Sequence, residues 1–234
     1  MTNYVVCLKY GDKYSATYVN RLYNMVCRNL TVDYKFVCFT DNSAGIDPGI
    51  ETQPLPKIAV QGWWFKPMFL NPELGLDGTV LFLDLDLVIF RNIDNLFSYK
   101  PGKFLIIRDF NRTIIKDYPK FNSSVFRLDT GNQSQVYSEF IKDPRGVSRR
   151  FLGDQDWIYS TVTKDFDYWP VEWIQSYKWE CRRRAAICKR QPAGERDFKK
   201  SGKPTILEDT SIAVFHGDPN PHNCKDPWVK ENWR

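Results

Sequence analysis

The sequence is poor in histidine, with two in 234 residues, and it has no closely spaced pair of cysteines. Its six cysteines, Cys7, Cys27, Cys38, Cys181, Cys188 and Cys224, are scattered. That spacing excludes paired cysteine metal ligands, and with Cys7 and Cys38 inside strand-like runs the set reads as reduced, buried thiols. Residues 1–30 lack a basic stretch followed by an apolar one, and no apolar run reaches the length of a membrane span. Neither secretion nor membrane insertion is therefore expected, and the expected compartment is the cytoplasm. Internal repeats and low-complexity tracts are absent, as is any groove-reading motif, so the net charge of +5 does not imply nucleic acid as a partner. That charge is local. Lys178–Lys203 carries ten basic and three acidic residues, net +7, which leaves −2 for the remainder. The segment reads as a solvated loop ahead of a contact with phosphate, an acidic glycan or, peripherally, a membrane surface. Its Pro192, Gly194, Gly202 and Pro204 disfavour one continuous helix, so a mobile cover or an acceptor-side element is expected there.

What is present is an ordinary globular composition, 42% hydrophobic, in a length that suits one domain spanning 1–234. Aromatic residues make up 15%, eight of them Trp. That is more aromatic surface than a core requires and fits stacking platforms for bases or sugar rings, with a Trp-rich core as the plainer alternative.

The central stretch is Thr79 to Phe90, an apolar run interrupted by Asp84 and Asp86. Val, Ile, Leu and Phe between Gly78 and Arg91 read as one strand buried on both faces of a mostly parallel sheet, where unpaired carboxylates are costly. Side chains alternate along a strand, so two Asp separated by a single residue point the same way and can share one divalent cation at the strand end.

Around it the chain alternates. Asn3–Tyr10 reads as a strand, Tyr14–Asn29 as a helix, and Tyr34–Thr40 as a second strand, the β-α-β opening of a parallel sheet. Ligands bind such sheets at the carboxyl ends of strands, which places Lys9, Tyr10 and Tyr14 near a site. Ala44–Gln61 reads as a loop, and Gly62–Phe69 as an aromatic segment, helical after Pro67, with Lys66 its only charge. Strands are expected at Lys103–Asp109 and Phe121–Leu128, a helical turn at Asn92–Phe97, and helices at Gln133–Ile141 and Asp154–Val162. A last strand, Ser211–Phe215, runs into His216-Gly217-Asp218-Pro219-Asn220-Pro221-His222, a turn that holds both histidines and so raises the expectation of a ligand or catalytic group.

Taken in order, Lys9-Tyr10-Gly11-Asp12-Lys13-Tyr14, Gly62-Trp63-Trp64-Phe65-Lys66, Asp84-Leu85-Asp86, Phe121-Asn122-Ser123-Ser124, Gly153-Asp154-Gln155-Asp156 and His216-Gly217-Asp218-Pro219 resemble the motif series of GT-A fold glycosyltransferases, family 8 and related small bacterial and viral enzymes in particular. The resemblance runs from Tyr4 to Trp233. It implies a single Rossmann-like α/β domain that transfers a hexose, glucose or galactose, from a UDP-sugar to a carbohydrate or glycan acceptor with retention. It further implies Mn2+ in preference to Mg2+, held by Asp84, Asp86 and His216. Lys9, Tyr10, Tyr14, Lys66, Leu85, Asn122 and Ser123 fall at donor-binding positions, with Tyr14 stacking on the base, and Asp154 and Gln155 at catalytic ones. Two positions depart from the pattern: Asn220 stands where relatives keep a diphosphate-binding Lys, leaving that role to Lys66, Lys225 or the basic segment, and Ser124 stands where Gly is common.

The same Asp pair also resembles the first motif of haloacid-dehalogenase-like phosphatases, with Asp84 as nucleophile. Such proteins carry the pair on their first strand, whereas here at least two strands precede it. A non-catalytic sugar-binding module would keep the aromatics but leave the carboxylates unexplained.

Overall fold

The computed structural model describes residues 1–113, 115–181, 206 and 208–234. It opens with the expected β-α-β unit: β1 (Thr2–Lys9), α1 (Ala16–Asn29) and β2 (Lys35–Thr40). α1 buries Tyr18, Val19, Leu22, Met25 and Val26, a stripe at helical spacing that docks on the sheet. The region expected as loop contains β3 (Glu51–Pro54), four exposed residues paired only with β2. An edge strand solvated on both faces has no apolar alternation to betray it. The aromatic segment is a 3-10 helix over its whole length, Gly62–Leu70, with Pro67 inside.

Next come β4 (Gly78–Leu83), β5 (Leu87–Ile89), α2 (Asn95–Ser98), β6 (Phe104–Arg108), β7 (Phe121–Asp129), α3 (Gln135–Phe140), α4 (Pro144–Arg150) and α5 (Asp154–Thr161). β8 (Phe166–Tyr168), β9 (Ile174–Ser176), β10 (Ile212–Val214) and α6 (Pro227–Asn232) complete the described chain. The larger sheet has seven strands in the order β3-β2-β1-β4-β7-β6-β8. β7 is antiparallel to both neighbours and every other pairing is parallel, so the sheet is mostly parallel as expected. A smaller sheet has the order β5-β10-β9.

The Thr79–Phe90 run is therefore not one strand. It leaves the large sheet at Leu83 and enters the small one at Leu87, so Asp84-Leu85-Asp86 is the passage between two sheets. Both-face burial is nonetheless real for β4: Leu81 and Leu83 join the apolar cluster under α1, whereas Val80 and Phe82 join the cluster under the 3-10 segment. Gly78 starts β4 because nothing larger fits, since a Cβ there would lie 1.9 Å from the Thr2 carbonyl oxygen.

The cysteines described, Cys7, Cys27, Cys38, Cys181 and Cys224, are free thiols. Cys27 is exposed, contrary to expectation, because it faces away from the buried stripe of α1. No described helix is long and apolar enough to cross a membrane. Cys188 and the greater part of the basic segment, 182–203, lie outside the described residues. Its first residues, 178–181, belong to a π-helical turn, Tyr177–Cys181, with Tyr177, Trp179 and Cys181 buried.

Candidate active site

The backbone of the Asp pair is fixed from both sides. Asp84 N donates to the Ser124 carbonyl of β7 at 2.9 Å, and Phe215 N, just past β10, donates to the Asp86 carbonyl at 2.8 Å. Between them Leu85 is buried in the core and plugs the passage between the sheets. Leu85, expected among donor-binding residues, thus borders the cavity while its side chain serves packing.

Above this passage lies a cavity of about 850 Å³ at the carboxyl end of β4. Tyr10, Tyr14, Lys66, Asp84, Leu85, Asp86, Ser123, Asp154 and Gln155 all border it, so most of the expected site is brought together. Lys9 and Asn122 do not border it. The Lys9 ammonium turns back to the Gly11 carbonyl at 3.4 Å, and Asn122 Oδ1 accepts from Ser124 N at 3.1 Å, a local strand bond.

At the floor, Lys66 is buried and its Nζ lies 2.8 Å from each carboxylate oxygen of Asp84. The same ammonium donates to Ser123 Oγ at 3.2 Å and lies 4.0 Å from Asp154. Burial alone would lower the Lys66 pKa, but the charges of Asp84 and Asp154 outweigh it and the ammonium is held. Asp154, in the first turn of α5, accepts from Ser123 Oγ at 2.6 Å; burial raises its carboxyl, opposed by Lys66 and by that hydroxyl. Gln155 follows it on the cavity wall, partly exposed.

Asp86 accepts from the Tyr14 hydroxyl at 2.7 Å. Burial and the neighbouring Asp84 charge push its carboxyl up to about 6 despite that bond. The tyrosine ring lies against Tyr18, with centroids 4.7 Å apart, and the Lys13 ammonium lies 4.8 Å from its centroid. Burial and the Asp86 charge together raise the Tyr14 phenol, so it stays a donor.

His216 is not brought to the carboxylates. Its Nε2 lies 2.6 Å from Ser176 Oγ, and its ring stacks on Phe110 and meets the edge of Trp179. Among the described residues no group of three or more His, Cys, Asp and Glu is arranged to hold a metal ion. The two carboxylates supply oxygen donors of the kind a divalent cation takes, and the Asp86 carboxyl is raised first by burial and then by the Asp84 charge. His222 is exposed and bonds through Nδ1 to the Tyr18 hydroxyl.

Cavity residues outside the motifs quoted from the sequence include Asp109 and Lys120. Asp109 is buried with its carboxyl raised by that burial, and its Oδ1 accepts from the Asn111 peptide at 2.8 Å and its amide at 2.6 Å. Lys120 pairs with Asp156 at 2.8 Å, and exposed Trp63 forms part of the rim. Asp109 directly follows β6, on the ligand-binding edge of the sheet, which is the available signal.

Neither protein-family models nor curated proteins give a match to this chain. Among solved structures, the chain is similar to the galactosyltransferase LgtC in complex with donor and acceptor sugar analogues, at 14% identity and a TM-score of 0.62, covering 97% of this chain and 93% of that one. It is also similar to the glycosyltransferase GlyE of Streptococcus pneumoniae TIGR4, at 12% identity and 0.64, and to the bifunctional glycosyltransferase WbbM, at 12% and 0.62. The likeness covers 99% and 98% of this chain, which spans 62% of the GlyE chain and 51% of the WbbM chain. The fold is therefore the GT-A fold of glycosyltransferases.

Proposed function

We propose that the chain is a glycosyltransferase that moves a hexose, glucose or galactose, from a UDP-sugar to a carbohydrate or glycan acceptor with retention of configuration. The observation that carries the proposal is the passage between the sheets. There the GT-A fold sets Asp84 and Asp86 at a strand end, pins their backbones, and opens a cavity large enough for a sugar and its acceptor. The phosphatase reading is not favoured, because the pair follows the fourth strand of the chain and Asp84 is tied to a buried ammonium rather than free to attack.

In the proposed reaction the bond between the anomeric carbon and the β-phosphate oxygen breaks, leaving its electron pair on that oxygen. The acceptor oxygen bonds the anomeric carbon, and its proton passes to the departing phosphate. Asp84 and Asp86 would hold a divalent cation, Mn2+ by preference, whose chemistry is to neutralise charge on the diphosphate. The preference for manganese over magnesium rests on His216, whose Nε2 would have to exchange Ser176 Oγ for the metal. Lys66 pairs with Asp84 and braces it through Ser123 and Asp154. Gln155, or a wall neighbour, would steady oxocarbenium-like charge on the sugar.

A panel of nucleotide sugars, each with manganese, tests the proposal by thermal unfolding. A donor at a hundredfold its dissociation constant stabilises by about 2.7 kcal/mol, or about 5–10 °C for a chain of this length. UDP-glucose or UDP-galactose is expected to give the largest shift. No shift with any nucleotide sugar would overturn the assignment.

A further inference from the structure

A second cavity, of about 520 Å³, opens beside the first, between α1 and the terminal turn. The two share only Lys13 and Tyr14. Tyr14, Tyr18, Arg21, His222 and Trp233 give the smaller one aromatic and planar walls with Asp12 as its one carboxylate, whereas the larger, which also has aromatic walls, gathers Asp84, Asp86, Asp109, Asp154 and Asp156. Lys13 sits on the saddle between them.

The other lysines of the large cavity are already committed, Lys66 to Asp84 and Lys120 to Asp156, each at 2.8 Å. Lys225 is exposed and borders neither cavity. Lys13 is exposed and, although its charge is felt by Asp86, has no carboxylate within ion-pair distance among the described residues. Its ammonium instead lies between aromatic faces, 4.8 Å from the Tyr14 centroid and 6.0 Å from that of Trp63. The turn that carries it is fixed: Gly11 takes φ +59°, open to glycine, and its N–H donates to both carboxylate oxygens of Asp41 at 2.9 and 3.2 Å. The carboxylates of the large cavity repel a diphosphate except where a cation on Asp84 and Asp86 would screen them, so the ammonium at the saddle is the protein's own charge available to the phosphates there.

We propose that Lys13 is the diphosphate-positioning cation, with the nucleoside in the smaller cavity, the phosphates across the Lys13–Tyr14 saddle and the sugar in the larger cavity. The inference rests on the UDP-sugar reading above. It predicts that the charge of Lys13 matters for phosphates and not for the nucleoside.

Calorimetric titration of UDP and of uridine into the parent, Lys13→Gln and Lys13→Arg, at two salt concentrations, tests it. A lost charge-assisted contact corresponds to about a tenfold or larger loss of affinity. Lys13→Gln should lose that much for UDP and nothing for uridine, its UDP affinity should depend less on salt than the parent's, and Lys13→Arg should stay close to the parent. If Lys13→Gln binds UDP as tightly as the parent, or loses uridine equally, Lys13 does not position the diphosphate. If the parent binds neither ligand, with or without manganese, the UDP-sugar reading itself fails and this inference with it.

Discussion

Replacing Lys66 with Met removes the ammonium that the floor of the cavity is built on while keeping a stem of similar length. In the parent that ammonium touches both oxygens of Asp84, donates to Ser123 and approaches Asp154 to 4.0 Å. Without it, Asp154, with 7% of its side chain exposed, keeps the Ser123 hydroxyl and its own backbone N–H but no cation, whereas Asp84, at 22%, retains some access to water. Breaking a buried pair by removing one partner costs about 3–5 kcal/mol, and the partial exposure of Asp84 puts the loss near the lower end, about 3 kcal/mol at neutral pH. For a chain of this length that corresponds to about 6–12 °C in Tm. The pH dependence has a definite sign. A carboxyl raised in the folded state contributes stability that is present below its unfolded pKa and lost as pH rises through the folded value. Losing Lys66 removes the charge that opposes the raised Asp154 carboxyl, so the deficit of Lys66→Met should narrow as the pH is lowered from about 7 to about 5. Adding Asp84→Asn should recover part of the loss, because one unpaired charge is gone. Urea unfolding of the parent, both single variants and the double variant at the two pH values measures all of this. A Lys66→Met protein within about 0.5 kcal/mol of the parent, or a deficit that does not change with pH, would refute the reasoning.

Three further outcomes are expected. Asp86→Asn should stabilise the metal-free protein at neutral pH: the parent carboxyl, pushed up to about 6 by burial and Asp84, gives stability present below its unfolded pKa of about 3.9 and lost as pH rises through about 6, at most about 3 kcal/mol. Thermal melts from pH 4 to 8 should therefore show the parent gaining on acidification and the variant not, and equal profiles would contradict the assignment. Arg127, fully buried in β7, donates to the carbonyls of Leu96, Phe97, Tyr99, Lys100 and Lys103, so Arg127→Met should cost more than about 3 kcal/mol in urea unfolding. Tyr14→Phe, which removes only the hydroxyl on Asp86, should raise the Asp86 carboxyl further and shift the acid limb of the stability profile to higher pH; an unchanged limb would show the bond to be idle.

The elements legible in the sequence were those whose burial leaves a period. The stripe of α1 and the apolar runs of β1, β2, β4 and β7 could be read because each faces a core that tolerates little else. β3 was hidden because all four of its residues are solvated, and β8 and β9 because three residues carry no period. The passage at Asp84-Leu85-Asp86 misled for a related reason. β5 is as apolar as β4, so composition could not reveal that the chain changes sheets between them. In the site, the Asp pair, Lys66, Ser123, Asp154 and Gln155 converge as their positions implied, since strand ends and a helix start deliver them to one edge. The geometry of their partners was not readable. Nothing in the order of residues says that Lys66 is spent on Asp84, that Tyr14 bonds Asp86, or that His216 turns to Ser176.

The central claim is that the Asp pair serves glycosyl transfer from a UDP-sugar, and UDP release measures it directly. Parent, Asp84→Asn and Asp86→Asn are each incubated with UDP-glucose or UDP-galactose, manganese and an oligosaccharide panel, beside a generic phosphoester. The account predicts metal-dependent UDP release by the parent, its loss in both variants while they remain folded, and no phosphate from the phosphoester. UDP release unchanged in both variants, or phosphate release that disappears with Asp84→Asn, would contradict it.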